Sequence, residues 1–131
     1  LQAGLLRVKM AHMEEITEEK RAIADKYTEG IKNPLIGLPK VRKGADSVWH
    51  QYVIRCKERD RLIEYLKERQ IGTIIHYPIP PHMSEAYQYL GFKKGDFPVA
   101  EAYADEVLSL PIYNGITKEE QDYVIDALNR F

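Results

Sequence analysis

Cysteine is nearly absent. Cys56 stands alone in 131 residues, so no internal disulfide can form, and its place in an apolar run predicts a small buried hydrophobe. That usage fits a reducing cytoplasm. Long apolar runs are missing too: none approaches the ~20 residues of a membrane-crossing helix, and no basic-then-apolar secretory leader opens the sequence. Neither sign of charge dominates. With 19 Lys and Arg against 20 Asp and Glu, the formal net charge is -1, and no basic stripe is available for nucleic acid or an anionic membrane. There is no glycine-rich phosphate loop, no serine or cysteine in a nucleophile elbow, and no lysine in an apolar setting that would lower its pKa. Internal repeats and low-complexity tracts are also lacking.

What is present suits one domain. Hydrophobic residues make up 44% of the chain, enough for a modest core. Leu1, Leu5, Val8 and His12 already recur at helical spacing, and the first residue is not methionine, so the chain is expected to start inside a helix and to be part of something longer. The helical period runs to Tyr27, with Thr17, Glu18 and Glu19 placed to cap a second helix after a break near Glu14 to Ile16. Gly30 to Ser47 carries Asn33, Pro34, Gly37, Pro39 and Gly44 and reads as a connection or hinge. This divides the chain into a linking helical arm and connection, 1–46, and a small domain, 47–131.

Within the second part, the β-rich run Val48 to Cys56 predicts a first strand. Arg59 to Gln70 places Leu62, Ile63, Tyr65 and Leu66 on one helical face, with Gly72 suited to a left-handed C-terminal turn. Gly72 to Tyr77 reads as a short strand and Ser84 to Leu90 as a short helix. Pro98 opens a helix over Val99 to Val107, and Leu108 to Leu110 reads as a third strand. Thr117 and Glu120 form a capping box ahead of the stripe Tyr123, Val124, Ala127 and Leu128. The expected fold class is α+β, a small three-stranded sheet packed with helices.

The stretch TIIHYPIPPH, Thr73 to His82, concentrates the chemistry. Strand alternation sends Ile74 and His76 to one face and Ile75 and Tyr77 to the other. Pro78, Pro80 and Pro81 remove three amide donors and fix φ, confining the segment to a strand exit and lowering the entropy lost in holding it against a ligand. The segment is either a rigid display of an imidazole and a phenol or a plain strand stop with a surface histidine. The four histidines, 12, 50, 76 and 82, show no zinc-like spacing, and no metal site is expected. His50, on the face of Tyr52, reads as half-buried packing. Asp96 with Glu101, and Glu119 with Glu120, read as helix caps rather than acid and base pairs. Tyr87, Tyr89, Phe92, Phe97 and Tyr103 read as core and rim.

In order, LQAGLLRVKM, KRAIADKYTEGI, SVWHQYVIRC, His76-Tyr77-Pro78 followed by His82, and FP-AE followed by LSLP from Phe97 to Pro111 resemble the C-terminal portion of the DegT/StrS family of pyridoxal-phosphate-dependent sugar aminotransferases. The resemblance covers nearly the whole chain. It implies the small C-terminal domain of a type I pyridoxal-phosphate enzyme, preceded by a helix that joins it to an N-terminal cofactor domain absent from this sequence. The complete enzyme would move an amino group, usually from glutamate, to a keto nucleotide-sugar, and would be a cytoplasmic homodimer.

By the same resemblance His76 and Tyr77 bind substrate. No catalytic or cofactor-binding residue is assigned here, because the family's Schiff-base lysine, its pyridine-facing aspartate and an Asn-x-Arg-Met stretch lie upstream of LQAGLL. This piece alone is therefore expected to be inactive and without tightly bound pyridoxal phosphate. Without the large domain, the apolar face of the first helix would be exposed and open to pairing with a copy of itself. Gly4 departs from helix preference by about 1 kcal/mol. Two alternatives stand beside this reading: the same domain from a related sugar dehydratase, in which histidine replaces the anchoring lysine, and a free-standing α+β protein-interaction module.

Overall fold

The computed structural model describes residues 1–131. Five α-helices and two strands follow in the order α1 (Gln2–Met10), α2 (Met13–Gly30), β1 (Tyr52–Arg55), α3 (Arg59–Glu68), α4 (Pro98–Glu106), β2 (Val107–Leu110) and α5 (Lys118–Asn129). Two short 3-10 turns, Pro81–Met83 and Glu85–Leu90, lie between α3 and α4. The architecture is α+β. No helix is long and apolar enough to cross a membrane.

The sheet has two strands rather than the expected three. β1 and β2 run antiparallel with Tyr52 opposite Leu110 and Arg55 opposite Val107. The segment predicted as a further strand contributes one residue pair, Ile74 with Ser109. Its amide and carbonyl complete that pair at 3.3 and 2.8 Å. In antiparallel register the next pair toward one end would be Gly72 with Pro111, and proline has no amide to offer. Toward the other end the chain meets Pro78 and leaves. On the opposite side of the sheet Gly37 forms a single pair with Arg55.

One buried cluster joins the elements. Tyr52 and Ile54 of β1 alternate inward while Val53 and Arg55 are half-buried, as the period of two requires. They meet Leu108 and Leu110 of β2, Leu62 and Leu66 of α3, and Val124, Ala127 and Leu128 of α5. Ile23, Ala24 and Tyr27 of α2 and Ile36 of the connection belong to the same cluster. Each fully buried leucine contributes roughly 1.5–3 kcal/mol. Cys56 is buried among them, as expected.

Local signals set most of the boundaries. Thr117 Oγ1 accepts from the Glu120 amide at 3.1 Å while the Glu120 carboxylate accepts from the Thr117 amide at 2.8 Å, the predicted capping box. Pro98 opens α4 as predicted.

Five local expectations are corrected. The break between the first two helices falls at Ala11 and His12; Thr17 lies inside α2 and returns its hydroxyl to the Met13 carbonyl, a back-bond that competes with capping. Gln70, not Gly72, takes the left-handed turn after α3, at φ 59°, and the Ile71 amide closes onto the Leu66 carbonyl at 2.9 Å. The polar Gln70 reaches this conformation because that closing bond satisfies an orphan carbonyl. His50 is exposed, because Trp49 at φ 45° interrupts the extended alternation that would have set it beside Tyr52. Tyr87, Tyr89, Phe92, Phe97 and Tyr103 are exposed rather than core. The 85–90 segment, a 3-10 turn in place of the expected helix, buries nothing.

Helix α1 also buries no residue. Leu1, Leu5, Leu6, Val8 and Met10 all face solvent.

Candidate functional site

The chemistry-bearing stretch begins where backbone pairing ends. After Ile74, residues 75–82 make no backbone hydrogen bond to another element, and the next backbone bonds, Met83 to Pro80 and Ser84 to Pro81, are local. Three prolines in this arch hold its φ angles without such bonds. The His76–Tyr77 peptide is cis.

Two side-chain hydrogen bonds attach the arch to the domain, and Ile75 at its start packs against the core. His76 Nδ1 lies 2.9 Å from the hydroxyl of Ser109, a buried residue in the middle of β2. His82 Nε2 lies 3.0 Å from Glu101 Oε1 on the first turn of α4. Between these points Tyr77 projects outward, 74% exposed. The rings of His76 and Tyr77 meet edge to face, with centroids 5.6 Å apart.

Beneath the arch lies a hollow of about 720 Å³. His76, Tyr77 and Pro80 form one wall, while Phe97, Val99 and Tyr103 from the start of α4 form the other. The volume is in the range of small-molecule pockets, and a mostly apolar lining with a few polar groups is the usual composition of such sites. His76 also borders a smaller hollow of about 320 Å³ on the Ser109 side. Arg55 pairs with Glu106 at 2.7 Å and lies over the Tyr103 ring at 4.0 Å, so this basic group is already neutralised.

His76 Nε2 and the Tyr77 hydroxyl have no hydrogen-bond partner within the chain, since the one polar contact of this pair is made by Nδ1. A ring held at one nitrogen presents the other to whatever enters. Both predicted site residues therefore occur together at one rim, accessible and oriented by different means.

Sequence reasoning did not find Ser109 or Glu101 as partners of the histidines. They lie 33 and 19 residues away in the chain, and nothing local marks the pairings. Glu101 has a second task. Its carboxylate accepts from the Gly95 amide at 2.8 and 2.9 Å and from the Phe97 amide at 3.3 Å. It thereby serves free donors at the start of α4, whose N-cap residue Phe97 has no capping side chain. The Gly95 amide above all, then the His82 contact and the Phe97 amide, hold the Glu101 carboxyl below the usual carboxylate range. His12 pairs only with Glu15 of its own helix.

The α+β unit thus offers an imidazole and a phenol at the rim of a mostly apolar hollow. The comparisons with known proteins identify its setting. The model of the DegT/DnrJ/EryC1/StrS aminotransferase family matches residues 1–129, and the chain belongs to that family. It is 43% identical over its whole length to dTDP-3-amino-3,6-dideoxy-alpha-D-galactopyranose transaminase of Aneurinibacillus thermoaerophilus, of which it covers 36%. Among solved structures it is similar to DesV of S. venezuelae, in complex with a ketimine intermediate, at a TM-score of 0.95 and 38% identity, covering 98% of this chain and 35% of that one. It also resembles the PLP form of the sugar aminotransferase Spr1654 of Streptococcus pneumoniae, at a TM-score of 0.82 and 26% identity, over 94% of this chain and 33% of that one. The chain thus spans about a third of the length of the relatives it matches.

Proposed function

We propose that this chain is the C-terminal domain of a nucleotide-sugar aminotransferase, and that His76 and Tyr77 contribute to its sugar-nucleotide pocket. The observation that carries this reading is end-to-end similarity, at 43% identity, to a transaminase named for a dTDP-linked amino sugar, combined with the open rim formed by the two residues. The relative's name favours amino transfer over dehydration, and the family match argues against a free-standing interaction module. In the proposed enzyme residues 1–46 form the linking arm and 47–131 the small domain of a type I fold. A homodimer in the cytoplasm, with glutamate as amino donor, completes the proposal.

The role of each residue follows from its donor inventory. The Tyr77 hydroxyl and the unpaired His76 nitrogen reach hydrogen-bonding groups of the sugar or the diphosphate oxygens, and the Ser109 contact keeps the imidazole from rotating away. Phe97 and Val99 offer an apolar surface beside those bonds.

Pyridoxal phosphate, when bound to the complete enzyme, supplies the electron sink for moving the amino group. The residues of this chain do not fit that group by themselves: the hollow beside His76 and Tyr77 is lined by no lysine and no arginine, so it offers neither the amine that would anchor the coenzyme nor a cation for its phosphate. The residues that hold it belong to the part of the enzyme outside this chain.

The test uses the full-length enzyme. His76→Ala and Tyr77→Phe should each raise KM for the keto nucleotide-sugar by about tenfold, the loss of one or two hydrogen bonds. Wild-type turnover and affinity in both variants would refute the assignment.

A further inference from the structure

The arch that carries His76 and Tyr77 depends on side chains for its position, because no backbone bond ties residues 75–82 to another element. One of its fastenings, Ser109, grips His76 itself. The other lies at the far end and touches neither proposed substrate group. His82 and Glu101 are paired at 3.0 Å with side chains only 8% and 14% exposed. The contact is a hydrogen bond shielded by its surroundings, so solvent competes for it less than at an open surface. The His82 ring also packs against Phe97, with centroids 4.7 Å apart, and Phe97 packs in turn on Phe92 at 5.0 Å.

The same Glu101 carboxylate holds the amides of Gly95 and Phe97. One side chain therefore fixes three things together: the end of the arch, the loop before α4, and the ring that forms the opposite wall of the hollow. α4 runs into β2 with no intervening loop, and β2 carries Ser109. The two fastenings of the arch are thus mounted on a single rigid piece.

We infer that His82 and Glu101 are positioning residues, fastening the proline arch to α4 so that Tyr77 and His76 are held at a fixed distance from the Phe97 wall. Any effect on sugar binding rests on the function proposed above; the fastening itself does not. If the pair is removed, the arch keeps its proline-set internal shape but swings about its remaining attachments at Ile75 and Ser109. A displacement of that kind loosens the sugar pocket without touching the chemistry of the amino donor.

The experiment is made in the full-length enzyme, with accessible cysteines replaced and a nitroxide spin label attached at Ile79→Cys, an exposed position on the arch. The label should be immobilised in the parent background and mobile after His82→Ala or Glu101→Ala, with the double variant no more mobile than either single one. His82→Gln, whose amide can still donate to Glu101, should restore an immobilised spectrum. In unlabelled enzyme, the same alanine variants should raise KM for the keto nucleotide-sugar by about tenfold. They should leave the half-reaction with the amino donor at the wild-type rate, which a general loosening of the fold would not do. An arch that stays immobile in both alanine variants overturns the inference, whatever the kinetics. A mobilised label together with unchanged sugar kinetics in His76→Ala and Tyr77→Phe supports the fastening and sinks the substrate assignment instead.

Discussion

The hydroxyl of Tyr27 donates to the Pro111 carbonyl across 2.8 Å, tying the last turn of α2 to the residue just after β2, 84 positions later in the chain. Tyr27 is fully buried, and its ring meets Tyr52 edge to face with centroids 5.3 Å apart. Burial, with lesser contributions from neighbouring Tyr113 and Tyr52, pushes its phenol far above the ordinary tyrosine value. Tyr27→Phe keeps the packing and leaves the carbonyl without its partner. The expected loss is about 1–2 kcal/mol, read as a lower urea midpoint with an unchanged slope. An unshifted midpoint would mean that solvent replaces the bond.

Asn129 makes a second long-range tie. Its side-chain oxygen accepts from the Lys32 and Asn33 amides at 2.6 and 3.2 Å, and its amide donates to the Gly30 carbonyl at 2.9 Å. The end of α2 thus receives its cap from the end of α5. Asn129→Ala removes all three bonds, and a loss of about 1–2 kcal/mol is expected. Asn129→Asp keeps the two acceptor bonds and should recover part of it; equal losses in both variants would locate the effect in the Gly30 bond alone.

Acid should act through Glu101. Its carboxyl is depressed in the folded state, first by the Gly95 amide, so it binds a proton less readily folded than unfolded. The stability it contributes is fully present above the unfolded carboxylate value of about 4.3 and is lost as pH falls through the lower folded value. Urea midpoints of wild type and Glu101→Gln should therefore differ most at neutral pH and converge as the solution is brought to about pH 3. A constant gap across that range would show that the charge is irrelevant.

Helix α1 should be nearly silent in the stability of this chain. None of its residues is buried, so Leu5→Glu with Leu6→Glu is expected to change the unfolding free energy by no more than about 0.5 kcal/mol. A much larger loss would reveal packing that the helix does not make in this structure. If the helix pairs with a second copy, the same substitutions should lower the apparent mass in sedimentation.

Pyridoxal phosphate added to the 131-residue chain should give only the spectrum of the free coenzyme. A stable new absorbance band that survives dialysis would show that a lysine of this chain anchors it, and would move the cofactor site into this domain.

Much of the fold could be read from adjacent residues. The capping box at Thr117 and Glu120, the Leu62 and Leu66 stripe and Pro98 at a first helical turn are decided within a few positions, by bonds that close inside one turn. His76 and Tyr77 were legible as a rim because prolines announce a strand exit. The number of strands was not: pairing at Ile74 is limited by Pro111, and that constraint comes from register rather than composition. The fastenings at Ser109 and Glu101 were equally hidden, since a hydroxyl and a carboxylate acquire their partners only once the chain has folded back on itself. Gln70 held a position that glycine would ordinarily take because the bond from the Ile71 amide to the Leu66 carbonyl offset the small cost of its Cβ.

The sheet's two outer neighbours, Gly37 and Ile74, each touch it through a single residue pair. Strands of only four residues, each with one outward position already paired, leave a short free ladder to a passing polypeptide. The domain should thus resist strand-to-strand aggregation even while its helical and aromatic surfaces stand uncovered, and its faults on overproduction should be soluble oligomers rather than fibrils.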